Sequence, residues 1–230
     1  MGNLAEVKRL LKKIYGDREG EIAFQRIMVL IEKFPAMKSK REGYFSQEDV
    51  VLITYGDSLS GKGQVPLVTL HEFANTYLKD AISTVHFLPF FPGSSDDGFS
   101  VMDFSTINPE LGSWEEVVAI GRDFQLMFDY VVNHFSSKGE WFENYLAGKE
   151  GYVDFAMEVD PATDLSQVTR PRAVPLLSEY KQHDGSTVHL WTTFCADQID
   201  FNFRSLDVLE KMIEVLLLYA QKGATILRLD

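Results

Sequence analysis

Short runs of apolar and β-branched residues alternate with longer amphipathic stretches along most of the chain. Four of these runs predict buried strands: Val50–Tyr55, Thr84–Leu88, Phe124–Val132 and Ala224–Asp230. Short apolar strands that alternate with helices are typical of a parallel sheet that is buried on both faces. The pattern therefore predicts an α/β fold.

Amphipathic segments predict helices before and between these strands. Ser113-Trp114-Glu115-Glu116 fits a capping box, which opens a helix that runs to about Asp123. His71–Lys79 predicts another helix, and Ser205–Lys222 predicts one that ends at Gly223. Residues 1 to about 40 predict two further helices that precede the first strand.

One long stretch, from about Phe135 to Phe203, interrupts this rhythm. It is rich in proline, aspartate and aromatic residues, and it predicts a small subdomain inserted between the third strand and its helix. Four strand–helix units do not close a barrel, which needs eight and typically about 250 residues. From the pattern alone, a complete open α/β domain is therefore an alternative to part of a barrel.

Composition narrows the class of protein without fixing its fold. The 230 residues are 45% hydrophobic and 24% charged, which is ordinary for a soluble globular protein. A formal net charge of −12 argues against a nucleic acid or an anionic membrane as partner. The single cysteine, Cys195, cannot form an internal disulfide, and no apolar run has the length of a membrane span or a signal peptide. We expect a cytoplasmic protein.

Polar clusters follow three of the predicted strands, at the ends where ligands bind to parallel sheets. Asp96-Asp97-Gly98-Phe99 follows the second strand, Asp129 to His134 end the third, and Arg228 and Asp230 end the fourth. A lone Asp-Asp-Gly would be explained by a turn. Three successive strands that end in charged residues predict a binding or catalytic site.

Arg228 and Asp230 are two residues apart on a strand, so their side chains share one face. A guanidinium beside a carboxylate stabilises its ionised form, which a nucleophile in glycosyl transfer requires. A structural Arg–Asp pair explains the same spacing equally well. Likewise, His134 could contact a ligand or pack in the core, and Asp129 could pair with a neighbouring strand. No second histidine stands near His134 at metal-ligand spacing, and no glycine-rich nucleotide motif is present.

These motifs resemble those of the α-amylase clan, glycoside hydrolase family 13. Asp129-x-x-x-Asn133-His134 is similar to the first signature of that clan, and Arg228-x-Asp230 is similar to the second. The fold of the clan is a (β/α)8 barrel with a small domain B after the third strand, where the irregular stretch lies. The resemblance thus implies the first half of a (β/α)8 TIM barrel with an inserted domain B after strand 3.

Further segments resemble the sucrose phosphorylase branch of the clan, and the resemblance covers roughly residues 50–230. These segments are Leu52–Leu59, Leu88–Pro92 with Asp96–Phe99, Trp191–Phe194 and Gln198–Asp200. The helical extension before Val50 resembles instead the relatives that act on glucosylglycerate, which shifts the expected acceptor towards glycerate. Fructose and fructose 6-phosphate stay open as acceptors. We divide the chain into this extension (1–49), the first barrel part (50–134), domain B (135–203) and the second barrel part (204–230).

The resemblance implies a role for each candidate site residue. Asp230 matches the nucleophile and Arg228 the arginine that orients it, while Asp96 and His134 match residues that hydrogen-bond the glucosyl unit. Two aromatic walls and one polar residue complete the pocket by resemblance: Phe99, Phe194 and Gln198. Asn133 matches a calcium position of many α-amylases. The phosphorylase branch is not known for that site, so we expect no metal and no cofactor.

The activity implied is retaining transfer of a glucosyl unit from a small α-glucoside to inorganic phosphate, which gives α-glucose 1-phosphate. The alternatives are a retaining α-glucosidase or transglucosidase of the same clan, or a non-catalytic sugar-binding fragment. The general acid glutamate and the third carboxylate of the family have no counterpart in the 230 residues. We therefore expect the chain to be the N-terminal portion of a longer enzyme, inactive when isolated. The sequence predicts no oligomeric state.

Overall fold

A four-stranded parallel sheet is the centre of the computed structural model, which describes residues 4–34, 45–170 and 172–230. Its strands are β1 (Val51–Thr54), β2 (Thr84–Phe87), β3 (Gln125–Tyr130) and β8 (Ala224–Leu229), in the order β1-β2-β3-β8. All three pairings are parallel, and each strand falls inside its predicted run. The predicted α/β class and strand positions are confirmed.

Three helices connect these strands: α3 (Pro66–Tyr77), α4 (Trp114–Asp123) and α6 (Leu206–Gln221). The predicted capping box of α4 is present, with Ser113 and Glu116 each bonded to the backbone at the start of the helix. The prediction for α3 was wrong at its start, since the helix begins at Pro66 and not at His71. Proline is pre-organised for the first helical position, where its missing N–H costs nothing.

An aromatic core fixes the sheet to the helices. Phe87, Phe90 and Phe128 are fully buried and make edge-on or tilted contacts with one another. Tyr219 of α6 stacks on Phe91 with ring centroids 4.9 Å apart. Close-packed aromatic rings of this kind contribute beyond their buried area. The strand ends therefore project from a rigid layer.

The pairing of β3 with β8 contains a bulge. Leu126 pairs with Ala224 but Met127 pairs with Ile226, so Thr225 is an extra residue on β8. Beyond the bulge the register places Asp129 opposite Arg228. Bulges are enriched next to active sites, where they re-aim side chains.

The stretch between β3 and α6 lies outside the four-stranded sheet. Its elements are β4 (His134–Ser136), α5 (Glu140–Leu146), β5 (Leu177–Lys181), β6 (Thr187–Trp191) and β7 (Gln198–Asp200). They form two antiparallel strand pairs, β4 with β7 and β5 with β6. β4 starts at His134, one residue before the predicted start of the insertion.

The N-terminal region forms a helical hairpin, α1 (Leu4–Tyr15) and α2 (Asp17–Glu32), as predicted. The hairpin packs on α6, where Leu11 and Ile27 meet a cluster that includes Leu209. Arg26 bonds two carboxylates of α6, those of Asp207 and Glu210, each at 2.5 Å. The rest of the predicted N-terminal region, residues 1–3 and 35–44, lies outside the described residues. No helix in the described ranges has the length and apolar character needed to cross a bilayer.

Candidate active site

A line of hydrogen-bonded polar side chains crosses the carboxyl half of the sheet from β2 to the residue after β8. His86 Nε2 lies 3.1 Å from one carboxylate oxygen of Asp129, and Arg228 Nη1 donates to the other at 2.5 Å. Arg228 Nη2 then donates to Asp230 Oδ1 at 2.9 Å. The guanidinium therefore joins a carboxylate of β3 to the one that follows β8.

Asp129 and His86 are both buried: Asp129 is fully enclosed and His86 is 3% exposed. Burial raises the pKa of Asp129, and the contacts with Arg228 and His86 counter only part of that effect. Asp129 thus pairs with neighbouring strands, as one interpretation of its position predicted. A buried charge is tolerated only when it is hydrogen-bonded. The bond to Asp129 therefore fixes the orientation of the Arg228 guanidinium.

Asp230 lies on the wall of a cavity of about 250 Å³ at the carboxyl ends of the strands. Six of the seven candidate residues line this cavity: Asp96, Phe99, His134, Phe194, Gln198 and Asp230. Arg228, the seventh, is not part of the cavity wall but donates a hydrogen bond to Asp230. The loop after β2, the end of β3, the inserted stretch and the end of β8 thus meet at one place.

The turn that carries Asp96 has an unusual backbone. Asp96 and Asp97 have φ of 53° and 51°, and Gly98 has φ of 93°. Left-handed backbone is uncommon for residues other than glycine, although aspartate adopts it more often than most. At Gly98 an added Cβ would lie 2.7 Å from the carbonyl oxygen of Pro89, so only glycine fits. Such outliers cluster where a structure orients functional groups.

Gln198 of β7 ties the polar groups of the cavity together. Its amide donates to Asp96 Oδ2 at 3.0 Å and lies 3.1 Å from His134 Nε2. The same histidine nitrogen is 3.1 Å from the carbonyl oxygen of Phe99. Burial lowers the pKa of His134, and three nearby carboxylates counter it only in part. His134 is therefore a neutral hydrogen-bonding group at pH 7.

Two aromatic rings flank these groups. The Phe99 ring lies 5.7 Å from the guanidinium carbon of Arg228, within the range of a cation–π contact. The Phe194 ring meets His134 edge-on, with centroids 5.2 Å apart. Apolar walls with a few convergent polar groups are typical of small-molecule sites.

Sequence reasoning missed four residues of this region. Tyr55, Asp97 and Arg172 also line the cavity, and His86 supports Asp129 from β2. Tyr55 and Asp97 lie inside two segments that had been singled out, Leu52–Leu59 and Asp96–Phe99, but neither was assigned a role of its own. Arg172 lies in the irregular stretch, where no periodicity predicts a direction, and its guanidinium is 3.7 Å from Asp96 Oδ1.

No group of three or more His, Cys, Asp or Glu side chains that could hold a metal ion occurs within residues 4–34, 45–170 and 172–230. The amide of Asn133, the residue at the calcium position of many α-amylases, lies 3.4 Å from His134 Nδ1. The expectation that the protein uses no metal and no cofactor stays a prediction.

Comparison with known proteins gives the family. The model of the alpha amylase catalytic domain matches residues 75–230, which include every candidate site residue. This protein belongs to the α-amylase family. The family resemblance predicted from the Asp129 to His134 and Arg228 to Asp230 motifs is confirmed.

Within the α-amylase family, the chain is similar to phosphorylases. It is 47% identical to the glucosylglycerate phosphorylase of Escherichia coli K12 over 221 residues, which are 96% of this chain and 40% of that enzyme. Identity to the sucrose phosphorylase of Streptococcus mutans is 34% over 194 residues, 78% of this chain and 39% of that enzyme. The crystal structure of sucrose 6F-phosphate phosphorylase from Thermoanaerobacter thermosaccharolyticum matches with a TM-score of 0.73 at 31% identity, over 81% of this chain and 40% of that one.

The chain thus spans about 40% of the length of the α-amylase-family relatives that it matches. Its four parallel strands and the structural match identify the fold as part of a (β/α)8 barrel. The predicted fold class is confirmed to that extent.

Proposed function

We propose that this chain carries the nucleophile and the glucosyl-binding pocket of a retaining α-glucoside phosphorylase that acts on glucosylglycerate. The observation that carries the proposal is Asp230, held by Arg228 at 2.9 Å and set in the wall of a small polar cavity. The similarity to glucosylglycerate phosphorylases supports the choice of reaction and of acceptor.

The cavity suits one sugar ring. Its volume of about 250 Å³ lies below the range of about 300–1,000 Å³ that is usual for drug-sized ligands. Asp96 and the neutral His134 offer an acceptor and a polar ring for sugar hydroxyls, and Gln198 fixes both. Phe99 and Phe194 supply apolar walls for the faces of the ring.

In the proposed reaction, the carboxylate of Asp230 attacks the anomeric carbon and the bond from that carbon to the glycerate oxygen breaks. Arg228 donates a hydrogen bond to one carboxylate oxygen of Asp230 and so orients the nucleophile. A protonated carboxylic acid about 5 Å from Asp230 gives its proton to the leaving oxygen, as retaining enzymes require. Phosphate then attacks the glucosyl–enzyme bond, releases Asp230 and leaves as α-glucose 1-phosphate.

One observation favours glycerate as the acceptor, and a second fits an anionic reactant in general. The match to the glucosylglycerate phosphorylase covers 96% of the chain, whereas the match to the sucrose phosphorylase covers 78%, a share similar in size to residues 50–230. Arg172 on the cavity wall supplies a positive charge for an anionic group, either the carboxylate of glycerate or phosphate. The partners proposed are thus a small α-glucoside and phosphate.

We further propose that residues 135–203 are domain B of the family. The two antiparallel strand pairs of this stretch lie outside the parallel sheet. Three residues of the stretch, Arg172, Phe194 and Gln198, line the cavity. A domain that closes one side of the pocket would bring acceptor-contacting groups close to the nucleophile. The boundaries at 49, 134 and 203, and the absence of a cofactor, are part of this proposal.

The test uses the protein expressed from its complete reading frame. Incubation with glucosylglycerate and phosphate should release α-glucose 1-phosphate, and α-glucose 1-phosphate with glycerate should run the reaction backwards. Asp230→Asn should lower kcat by about 10⁴-fold or more, the scale of nucleophile losses elsewhere, with an unchanged circular dichroism spectrum. Sucrose in place of glucosylglycerate should be a poor donor.

Two results would contradict the proposal. Release of free glucose at the same rate with and without phosphate would make the protein a hydrolase of the same clan. Binding of glucosides without any turnover would make it a sugar-binding protein.

A further inference from the structure

A single carboxylate outside the cavity accepts hydrogen bonds from four serine hydroxyls. Asp197 Oδ2 accepts from Ser94 at 2.6 Å and from Ser95 at 2.5 Å. Asp197 Oδ1 accepts from Ser136 at 3.2 Å and from Ser137 at 2.7 Å. We refer to these five residues as the serine clip.

The clip joins three segments that are far apart in sequence, and each carries a cavity residue. Ser95 precedes Asp96 in the loop after β2, and Ser136 is two residues after His134 on β4. Asp197 itself precedes Gln198, which pairs with Ser136 in the register of β4 and β7. Three polar residues of the cavity, Asp96, His134 and Gln198, are thus within two residues of a clip member.

The clip adds side-chain bonds to the backbone pairing of β4 with β7 and extends them to the loop after β2. Asp96 and Asp97 lie in left-handed conformations that a free loop would not favour. The loop and β4 also meet through Ser94 Oγ and Ser136 Oγ, which are 2.6 Å apart around the same carboxylate. Burial alone would raise the pKa of Asp197, but the four hydroxyls outweigh it and the pKa lies below its usual value. The clip is therefore charged at neutral pH, and bonds to a charged acceptor are the strong ones.

We infer that Asp197 is a positioning residue for the glucosyl pocket, because its carboxylate holds the segments of Asp96, His134 and Gln198 in one arrangement. It touches no substrate in this role and acts through the serines. The inference rests on the proposed function, since it names what the three segments are positioned for.

The chain offers a matched control in Asp103. Its carboxylate also accepts hydroxyl bonds, from Ser105 at 2.6 Å and from Thr106 at 2.7 Å. Burial raises the pKa of Asp103, but the hydroxyl and backbone hydrogen bonds lower it by more. The pKa of Asp103 therefore lies below its usual value, as that of Asp197 does. All of these bonds lie within three residues, and Asp103 does not line the cavity that contains Asp230. Loss of Asp103 thus removes similar chemistry without parting the three segments.

The experiment compares Asp197→Ala, Asp197→Asn and Asp103→Ala in the protein from its complete reading frame. With α-glucose 1-phosphate and glycerate, Asp197→Ala should lower kcat/KM for the glucosyl donor by about 10- to 100-fold, the scale expected when groups near the reacting atoms are misplaced. KM for glycerate should change little. In Asp197→Asn the amide oxygen still accepts from serine hydroxyls, and the amide NH2 can donate to serine oxygens. This variant should therefore recover most of the kcat/KM that Asp197→Ala loses. Asp103→Ala should match the wild type in both constants.

Amide hydrogen exchange gives a readout that does not need activity. Asp197→Ala should speed exchange in both residues 94–99 and residues 134–137, whereas Asp103→Ala should leave both unchanged. If neither segment changes, or if the two alanine variants lose equal activity, the inference is wrong. Should Asp197→Ala fail to fold, Ser95→Ala decides the matter, with a donor-specific loss of about threefold or more expected from one missing bond. A wild-type protein without transfer activity would contradict the proposed function, while the exchange result would still test the clip.

Discussion

At the scale of single residues, two buried histidines near the candidate site differ in their hydrogen-bonding partners. His134 lies among polar cavity groups, and its pKa is lowered by burial, against the attraction of Asp200, Asp230 and Asp96. His86 lies inside the sheet, 3.1 Å from a fully buried carboxylate. Each gives a measurable prediction.

The first prediction concerns pH. The unfolded chain takes up a proton on His134 at about pH 6.5, whereas the folded protein takes it up only at a lower pH. The unfolded state therefore binds more protons in that window, and the contribution of His134 to stability is complete above about pH 6.5 and is lost as the pH falls. Urea unfolding midpoints between pH 7.5 and 5 should decline less in His134→Gln than in the wild type. An equal decline in His134→Gln and in the wild type would refute this prediction.

The second prediction concerns the support of Asp129. His86→Phe keeps an aromatic ring but leaves one buried carboxylate oxygen without its partner. The free energy of unfolding should fall by about 1–3 kcal/mol, the usual cost of an unsatisfied buried polar group. His71→Phe breaks a similar pair with Asp123 at 2.8 Å on the exposed face of α3 and should change little. Denaturant unfolding of the two variants side by side measures the difference, and equal losses would show that burial of the pair is unimportant.

At the scale of elements, the turn Asp96–Gly98 and the hairpin between β5 and β6 test what the cavity requires of its loops. Gly98 and Gly185 have similar φ, 93° and 89°, so alanine is strained at both. An added Cβ at Gly98 would also meet the Pro89 carbonyl at 2.7 Å, while at Gly185 it would meet nothing within 4 Å.

Gly185→Ala should cost about 1–2 kcal/mol, the price of left-handed backbone for a residue with a Cβ. Gly98→Ala should cost more and should also displace Asp96, which raises KM for the glucosyl donor. Thermal unfolding and steady-state kinetics of the two variants separate these effects. Equal KM values would mean that the turn does not orient Asp96.

Element-scale features were also the most predictable from sequence. The capping box at Ser113 and the four apolar strands depend on local chemistry, so a short window of sequence was enough to find them. The start of α3 was missed because Pro66 was not weighed as a first helical residue. Local propensity thus predicted where elements lie better than where they begin.

At the scale of the whole molecule, the sequence predicted which residues lie together in the cavity but not which long-range contacts hold them there. Asp96, His134 and Asp230 were grouped because parallel strands end at one edge and because the family motifs match. His86 was missed because it looks like any residue of a buried strand, and its partner is 43 positions away. Asp197 was missed for the same reason, since its four serines come from two distant segments. Contacts of this range depend on the assembled fold.

The bulge at Thr225 has a consequence for how this site can change during evolution. If Thr225 were retained but paired one-to-one with Met127, the register that starts at Leu126 and Ala224 would place Arg228 level with Tyr130 instead of Asp129. A one-residue slip moves every side chain of a strand to its other face. Arg228 and Asp230 would then both point away from the cavity, although every residue of the motif would still be encoded. Deletion of Thr225 itself would remove the bulge and leave Arg228 opposite Asp129, so the site tolerates the loss of that residue but not the loss of the bulge with the residue retained.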